Sequence, residues 1–99
     1  MKIIKHLVEQ ITEELEDAEK YAECAMKHKE SDKELAATYY SLAGQELDHM
    51  HRLHEQVARI IKASTEEAPP VMKAIWDWEH EKMVKWEHEI KLLLDMFRQ

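Results

Sequence analysis

Hydrophobic residues recur every three to four positions along most of this chain, which is the period of an amphipathic α-helix. Three long segments have the pattern. They predict helices over about 2–29, from the turn at 31–34 to about 64, and over about 70–98. Strand-type alternation is absent, so the sequence predicts an all-α protein.

Turn signals separate the three segments. Ser31-Asp32-Lys33-Glu34 matches a capping box, which starts helix 2. The segment 65–70 is the only real linker; Pro69 ends one element, and Pro70 suits the first turn of the next. Because the first turn is short, helices 1 and 2 should form an antiparallel hairpin centred near residue 30.

This centre fixes which residues of the hairpin face each other. Residues whose numbers add up to about 60 should lie opposite, which pairs Glu14 with Glu46 and Tyr21 with Tyr39. Glu14 lies at the edge of the helix 1 stripe, and Glu46 is expected at the centre of the helix 2 stripe. That stripe comprises Leu35, Tyr39, Leu42, Ala43, Glu46, Met50, Leu53, Val57, Ile60 and Ile61.

Composition narrows the class of protein. Ninety-nine residues predict one domain, 1–99, which is small enough that oligomerisation would add useful stability. The net charge of −7 argues against a nucleic-acid binder. No apolar run approaches a membrane span, and the N-terminus has no signal-peptide core. Cys24 is the only cysteine, so no internal disulfide forms, and we expect a cytoplasmic protein.

The candidate chemistry lies at Glu46-x-x-His49. This spacing places a carboxylate and an imidazole on one helix face, and Glu14 meets them at the same height. Acids and a histidine directed into a helical core are costly unless something binds them, and a metal ion is the simplest candidate. With 16 Glu and 7 His, however, about one such pair arises by chance. A solvated hairpin edge, with Glu46 bonded to a Tyr or Lys, is therefore the alternative.

The residues in these positions resemble a known family. Helix 2 contains Asp32-x-Glu34-Leu35-Ala36-x-x-Tyr39-x-x-Leu42-Ala43-x-x-Glu46-x-x-His49-x-x-x-Leu53, which is similar to the second helix of ferritin-like and rubrerythrin-like diiron proteins. Helix 1 resembles that family's first helix in Glu14, Ala18, Tyr21 and Ala25. The resemblance covers about residues 10–57. It implies Glu14, Glu46 and His49 as metal ligands, with Glu46 bridging two metal ions.

One departure from the family pattern shapes the expected assembly. A complete ferritin-like bundle has four helices and two half-sites, each with a Glu and a Glu-x-x-His. This chain has one Glu-x-x-His, and helix 3 has no second copy. A homodimer of half-ferritin hairpins would supply the full ligand set and complete a four-helix core. The sequence therefore predicts at least a dimer.

Helix 3 adds further candidates. It should return antiparallel to helix 2, in contact where residue numbers add up to about 134. Glu87 then lies beside Glu46 and is a candidate ligand if the site closes within one subunit. Glu19 is an alternative ligand on helix 1. Trp76 and Trp86 are expected in the core, whereas Trp78 lies off the apolar stripe of helix 3. That stripe comprises Met72, Ile75, Trp76, Glu79, Met83, Trp86, Ile90, Leu93, Leu94 and Phe97.

Other polar residues near the apolar stripes have less definite roles. Glu79, central on the helix 3 stripe, is expected to pair with His54 or Arg59, or to bind a second ion. His51 and His54 are expected to be hydrated surface residues, with a metal entry path as the alternative. The roles of His80 and His88 are left open by the sequence.

Three functions remain in competition. The resemblance implies a di-iron protein of the ferroxidase or peroxidase type, active in iron oxidation, storage or peroxide defence; manganese and zinc also fit the ligands. The alternative is a non-catalytic helical interaction module that docks a partner through Trp78 and Leu92. The third is a metal-dependent sensor or carrier without turnover.

Overall fold

Three long α-helices make up the fold in a computed structural model that describes residues 2–63 and 70–99. They are α1 (Lys2–His28), α2 (Lys33–Ala63) and α3 (Pro70–Arg98). The described residues contain no strand, which confirms the all-helical prediction. Pro70 opens α3 as expected, whereas most of the predicted linker, including Pro69, lies outside the described residues. The molecule is a rod of 54 × 17 × 16 Å.

The turn between α1 and α2 is closed by backbone and side-chain hydrogen bonds. The N–H of Asp32 donates to the carbonyl of His28 at 3.0 Å. Asp32 Oδ1 accepts from the N–H of Leu35 at 3.1 Å, so Asp32 is the N-cap of α2. The cap therefore lies one residue later than Ser31, the first residue of the capping-box motif.

The hairpin has the register that the sequence predicts. The rings of Tyr21 and Tyr39 stack with their centroids 6.1 Å apart. Two turns further from the loop, Glu14 on α1 lies beside His49 on α2. A short turn leaves an antiparallel helix pair little freedom to slip, which is why counting from residue 30 was sufficient.

The core lies where α3 covers one side of this hairpin. Ile11, Leu15, Val57 and Ile90 are its largest fully buried side chains. Trp76 and Trp86 pack against the core as predicted, and Trp78 is 58% exposed. α3 runs closer to α1 than to α2. Its predicted register is also observed, since His54 stacks on His80.

The buried face of α2 differs from the predicted one. Ala43, Leu47 and Met50 are buried, whereas Glu46 is only partly buried. The predicted stripe was too wide because it merged two adjacent faces, and it omitted Leu47. Glu46 therefore lies at the flank of the core, and its predicted central position is wrong.

The second face of α2, here called the outer face, turns away from α3. Tyr40 and His51, which contact α3, lie about 120–140° around the helix from Glu46. All members of the outer face are partly or fully exposed. From Leu35 to Leu53 they recur in alternating steps of four and three residues, as in a coiled-coil seam, and Ile60 follows seven residues later. They are Leu35, Tyr39, Leu42, Glu46, His49, Leu53 and Ile60.

None of the helices in the described ranges combines the length and the apolar character that a membrane crossing needs.

Candidate metal centre

Three of the predicted ligand residues meet at the middle of the hairpin. Glu14 comes from α1, and Glu46 and His49 come from successive turns of α2. Each offers one ligand atom, and these atoms all lie within 4.8 Å of one another. His49 Nδ1 lies 3.4 Å from Glu14 Oε2 and 3.9 Å from Glu46 Oε1. The i,i+3 spacing and the hairpin register produce this convergence; metal binding by the three remains a prediction.

The three side chains of the site differ in their exposure to solvent. The side chains of Glu14 and Glu46 are 25% and 19% exposed, while that of His49 is 54% exposed. The carboxylates are thus partly buried between α1 and α2, and the imidazole lies on the outer face. An ion can reach the carboxylates from solvent past His49.

The two carboxyl groups strongly affect each other. A hydrogen bond with Glu14 raises the pKa of Glu46 from 4.5 to about 7, with partial burial and the charge of Glu14 acting in the same direction. His49 opposes this increase in pKa, but less strongly. Two close carboxylates repel each other when both are ionised, so one of them keeps its proton to a higher pH. Near neutral pH the pair therefore holds a proton that a divalent ion would replace.

One oxygen of the site lacks a hydrogen-bond partner. Glu14 Oε2 is buried and accepts no hydrogen bond from the described residues; its 3.4 Å approach to His49 is a charge contact. Buried carboxylate oxygens are almost always satisfied. The unsatisfied oxygen and the mixed carboxylate–imidazole donors together fit a divalent cation such as Fe²⁺, Mn²⁺ or Zn²⁺.

Glu87, the fourth predicted ligand, does not join the cluster. Its Oε1 lies 2.8 Å from His51 Nε2 and 2.8 Å from Lys91 Nζ. α3 packs beside the other flank of α2, so its carboxylate meets His51, two residues after His49, on that flank. Within one chain the structure therefore brings three of the four predicted ligands together.

The remaining candidates have other partners. The Trp86 indole N–H donates a hydrogen bond to Glu19 Oε2. Glu79 Oε1 lies 3.5 Å from Lys82 Nζ, so its charge partner in the described chain is on its own helix rather than at His54 or Arg59. His88 is exposed.

Sequence reasoning missed a second histidine group, between α2 and α3. The rings of His54 and His80 stack at 5.0 Å, and Trp76 lies against both. His54 Nε2 is buried without a hydrogen-bond partner among the described residues, and desolvation lowers the pKa of His54. The expectation of a hydrated His54 is therefore wrong. The sequence does contain a signal for this pair, because the residue numbers 54 and 80 add up to 134. That sum places residues of α2 and α3 side by side.

The chain matches no protein-family model, no curated protein and no solved structure. The resemblance to ferritin-like proteins therefore depends on the sequence positions quoted above.

Proposed function

We propose that this protein binds a divalent transition-metal ion through Glu14, Glu46 and His49, and that a homodimer unites two such sites into a two-metal centre. The observation that carries the proposal is the convergence of three ligand atoms from two helices within 4.8 Å. Chance can place a Glu-x-x-His pair on a helix, but it does not readily add a second carboxylate from another helix at the same height.

The electrostatics of the site favour a cation. Without one, Glu46 retains a proton up to a pH of about 7, and once that proton is lost Glu14 Oε2 has no hydrogen-bond donor among the described residues. A divalent ion would neutralise both carboxylates and satisfy the free oxygen. Three protein ligands also leave coordination positions open to water, oxygen or a second subunit's ligand.

Ligand counting supports the dimer. Carboxylate-bridged two-metal centres in helical bundles use four carboxylates and two histidines from four helices. Two copies of this hairpin contain that number, and one copy contains half of it. The three ligands border the outer face, where the apolar residues Leu42 and Leu53 flank the site and remain partly exposed. Face-to-face packing of two outer faces would bury these side chains and bring the half-sites together.

The activity proposed for the assembled centre is reaction of ferrous iron with oxygen or peroxide. This step rests on the resemblance to diiron proteins. Iron bound there would supply the redox chemistry, while the chain's contribution is to hold the ion, release the Glu46 proton and limit solvent access.

Metal content per chain tests the proposal directly. Protein prepared without chelators or an affinity tag is loaded anaerobically with Fe²⁺, desalted and assayed for metal. We expect about one ion per chain and its loss in Glu46→Ala. Asp48→Ala is the matched control, because Asp48 lies on the same helix, is exposed and pairs only with Arg52 among the described residues. Equal metal content in the two variants would contradict the proposed site.

Oxygen consumption then distinguishes a redox centre from a carrier. Rapid oxygen uptake by Fe²⁺-loaded protein, absent in Glu46→Ala, supports the oxidase or peroxidase type. Bound iron without uptake supports a sensor or carrier.

A second candidate function is a helical interaction module that binds no metal. It is favoured by the exposure of Trp78 and Leu92, which are 58% and 48% exposed on α3. Absence of bound metal after anaerobic loading would select this function.

A further inference from the structure

A groove separates the first half of α1 from the first turns of α3. Its volume is about 800 Å³. One wall extends along α1 from Ile4 to Glu16, and the opposite wall is formed by Ile75, Trp76 and Glu79. The α1 wall is about 18 Å long, because an α-helix rises about 1.5 Å per residue and the wall covers twelve residue steps. An open groove of this length matches about three turns of a helix better than it matches a small molecule.

The floor of the groove is apolar and incompletely covered. Ile4, Val8 and Trp76 are only partly buried there, and Ile75 is 55% exposed. Within the part of the chain that the structure describes, apolar surface at this end of the bundle is therefore left in contact with water. Such surface, when bordered by polar residues, is typical of a docking site.

The rim along α1 is acidic. Glu9, Glu13 and Glu16 follow one another at spacings of four and three residues, so they line one side of the helix. All three are exposed, and none forms an ion pair with another described residue. Across the groove, Glu79 is already paired with Lys82. Lys5 is the single basic residue in the described lining, so the rim attracts positive charge.

We propose that this groove binds a basic amphipathic helix of a partner protein. Apolar residues of the partner at i, i+4 and i+7 would pack on Val8, Ile75 and Trp76, in the helix-in-groove mode. Its lysines or arginines would face Glu9, Glu13 and Glu16. Nucleic acids and anionic lipid surfaces have the wrong charge for this rim. The proposal does not depend on the metal centre, which lies on the other side of α1.

The probe is an 18-residue peptide of leucine and lysine with leucines at helical spacing, and its binding is followed by fluorescence anisotropy in the presence of EDTA. Ile75→Asp is the most informative variant because it adds a negative charge and removes an apolar contact. We expect it to weaken binding about tenfold or more. Purely electrostatic attraction would instead be strengthened. Val84→Asp is the control, since Val84 is 53% exposed and lies half a turn around α3 from Ile75.

The rim is tested with two triple variants of equal charge. Glu9→Gln, Glu13→Gln and Glu16→Gln together should weaken peptide binding about tenfold. Glu23→Gln, Glu30→Gln and Glu89→Gln together remove the same charge from exposed positions elsewhere and should have little effect. Equal weakening by both triples would overturn the proposal.

Amide chemical-shift mapping on the wild-type protein makes the test independent of any variant's folding. Peptide-induced shifts should concentrate at 4–16 and 75–79. Shifts concentrated elsewhere, or spread over all acidic surfaces, would overturn the proposal. Sedimentation velocity without peptide compares the mass of the assembly in wild type and variants. If Ile75→Asp has a lower mass than wild type and Val84→Asp does not, the groove joins copies of this chain and the peptide proposal is wrong.

Discussion

The raised pKa of Glu46 predicts how the metal-free protein responds to pH. A carboxyl group whose pKa is higher in the folded than in the unfolded chain binds a proton more tightly when folded. Protonated Glu46 therefore stabilises the fold fully below pH 4.5, and this stabilisation is lost as the pH rises to about 7. Above that pH the two carboxylates of the metal-free site repel each other.

The magnitude follows from the same values. The difference between 4.5 and about 7 corresponds to about 3 kcal/mol at most. Since the site is partly exposed, solvent screening reduces this to about 1–2 kcal/mol. Glu46→Gln should abolish this contribution, because an amide resembles the protonated carboxyl group in shape and can donate to Glu14 at every pH.

The assay is urea unfolding followed by circular dichroism at pH 5 and pH 8, with EDTA and at one protein concentration. The wild-type free energy of unfolding should fall between the two pH values by about 1–2 kcal/mol more than that of Glu46→Gln. Asp48→Asn, which alters an exposed neighbouring carboxylate, should behave as the wild type does. Identical pH dependence in wild type and Glu46→Gln would contradict this prediction, because the two proteins differ in no other carboxyl group.

Further predictions concern the ligand set, the dimer and the fold. Glu87→Gln should retain the metal measured by elemental analysis, because Glu87 pairs with His51 and Lys91. Loss of the metal in this variant would indicate that Glu87 is a ligand. Leu42→Asp, on the outer face, should give a monomer in sedimentation experiments with much less bound metal. A variant that stays dimeric would contradict the proposed interface. Asp32→Ala should cost about 1 kcal/mol of unfolding free energy in urea titrations, because the cap of α2 is lost.

Much of the candidate site was predictable from sequence because its determinants are local. The i,i+3 spacing of Glu46 and His49 fixes their common face, and a short turn fixes the register that brings in Glu14. The same register predicts the stacked pair of Tyr21 and Tyr39. These relations need only helix geometry and a count of residues from the loop.

The position of α3 was less accessible from sequence. Its register along α2 was predictable, but the side of the hairpin that it covers depends on how three apolar surfaces pack together. α2 has two adjacent apolar faces, and the periodicity gave no reason to choose between them. The sequence therefore placed Glu46 at the centre of one broad stripe, whereas packing buries Leu47 and leaves Glu46 at its flank.

Local periodicity and one short turn define the three helices, the register of the hairpin and the convergence of Glu14, Glu46 and His49, so these features could be predicted from the sequence. The face of α2 that α3 covers depends on tertiary packing, which pairs Glu87 with His51 and partly buries the stacked His54. This face could not be predicted because α3 meets α2 through residues far apart in the chain. Their rotation about each helix is set by the whole core rather than by any local pattern.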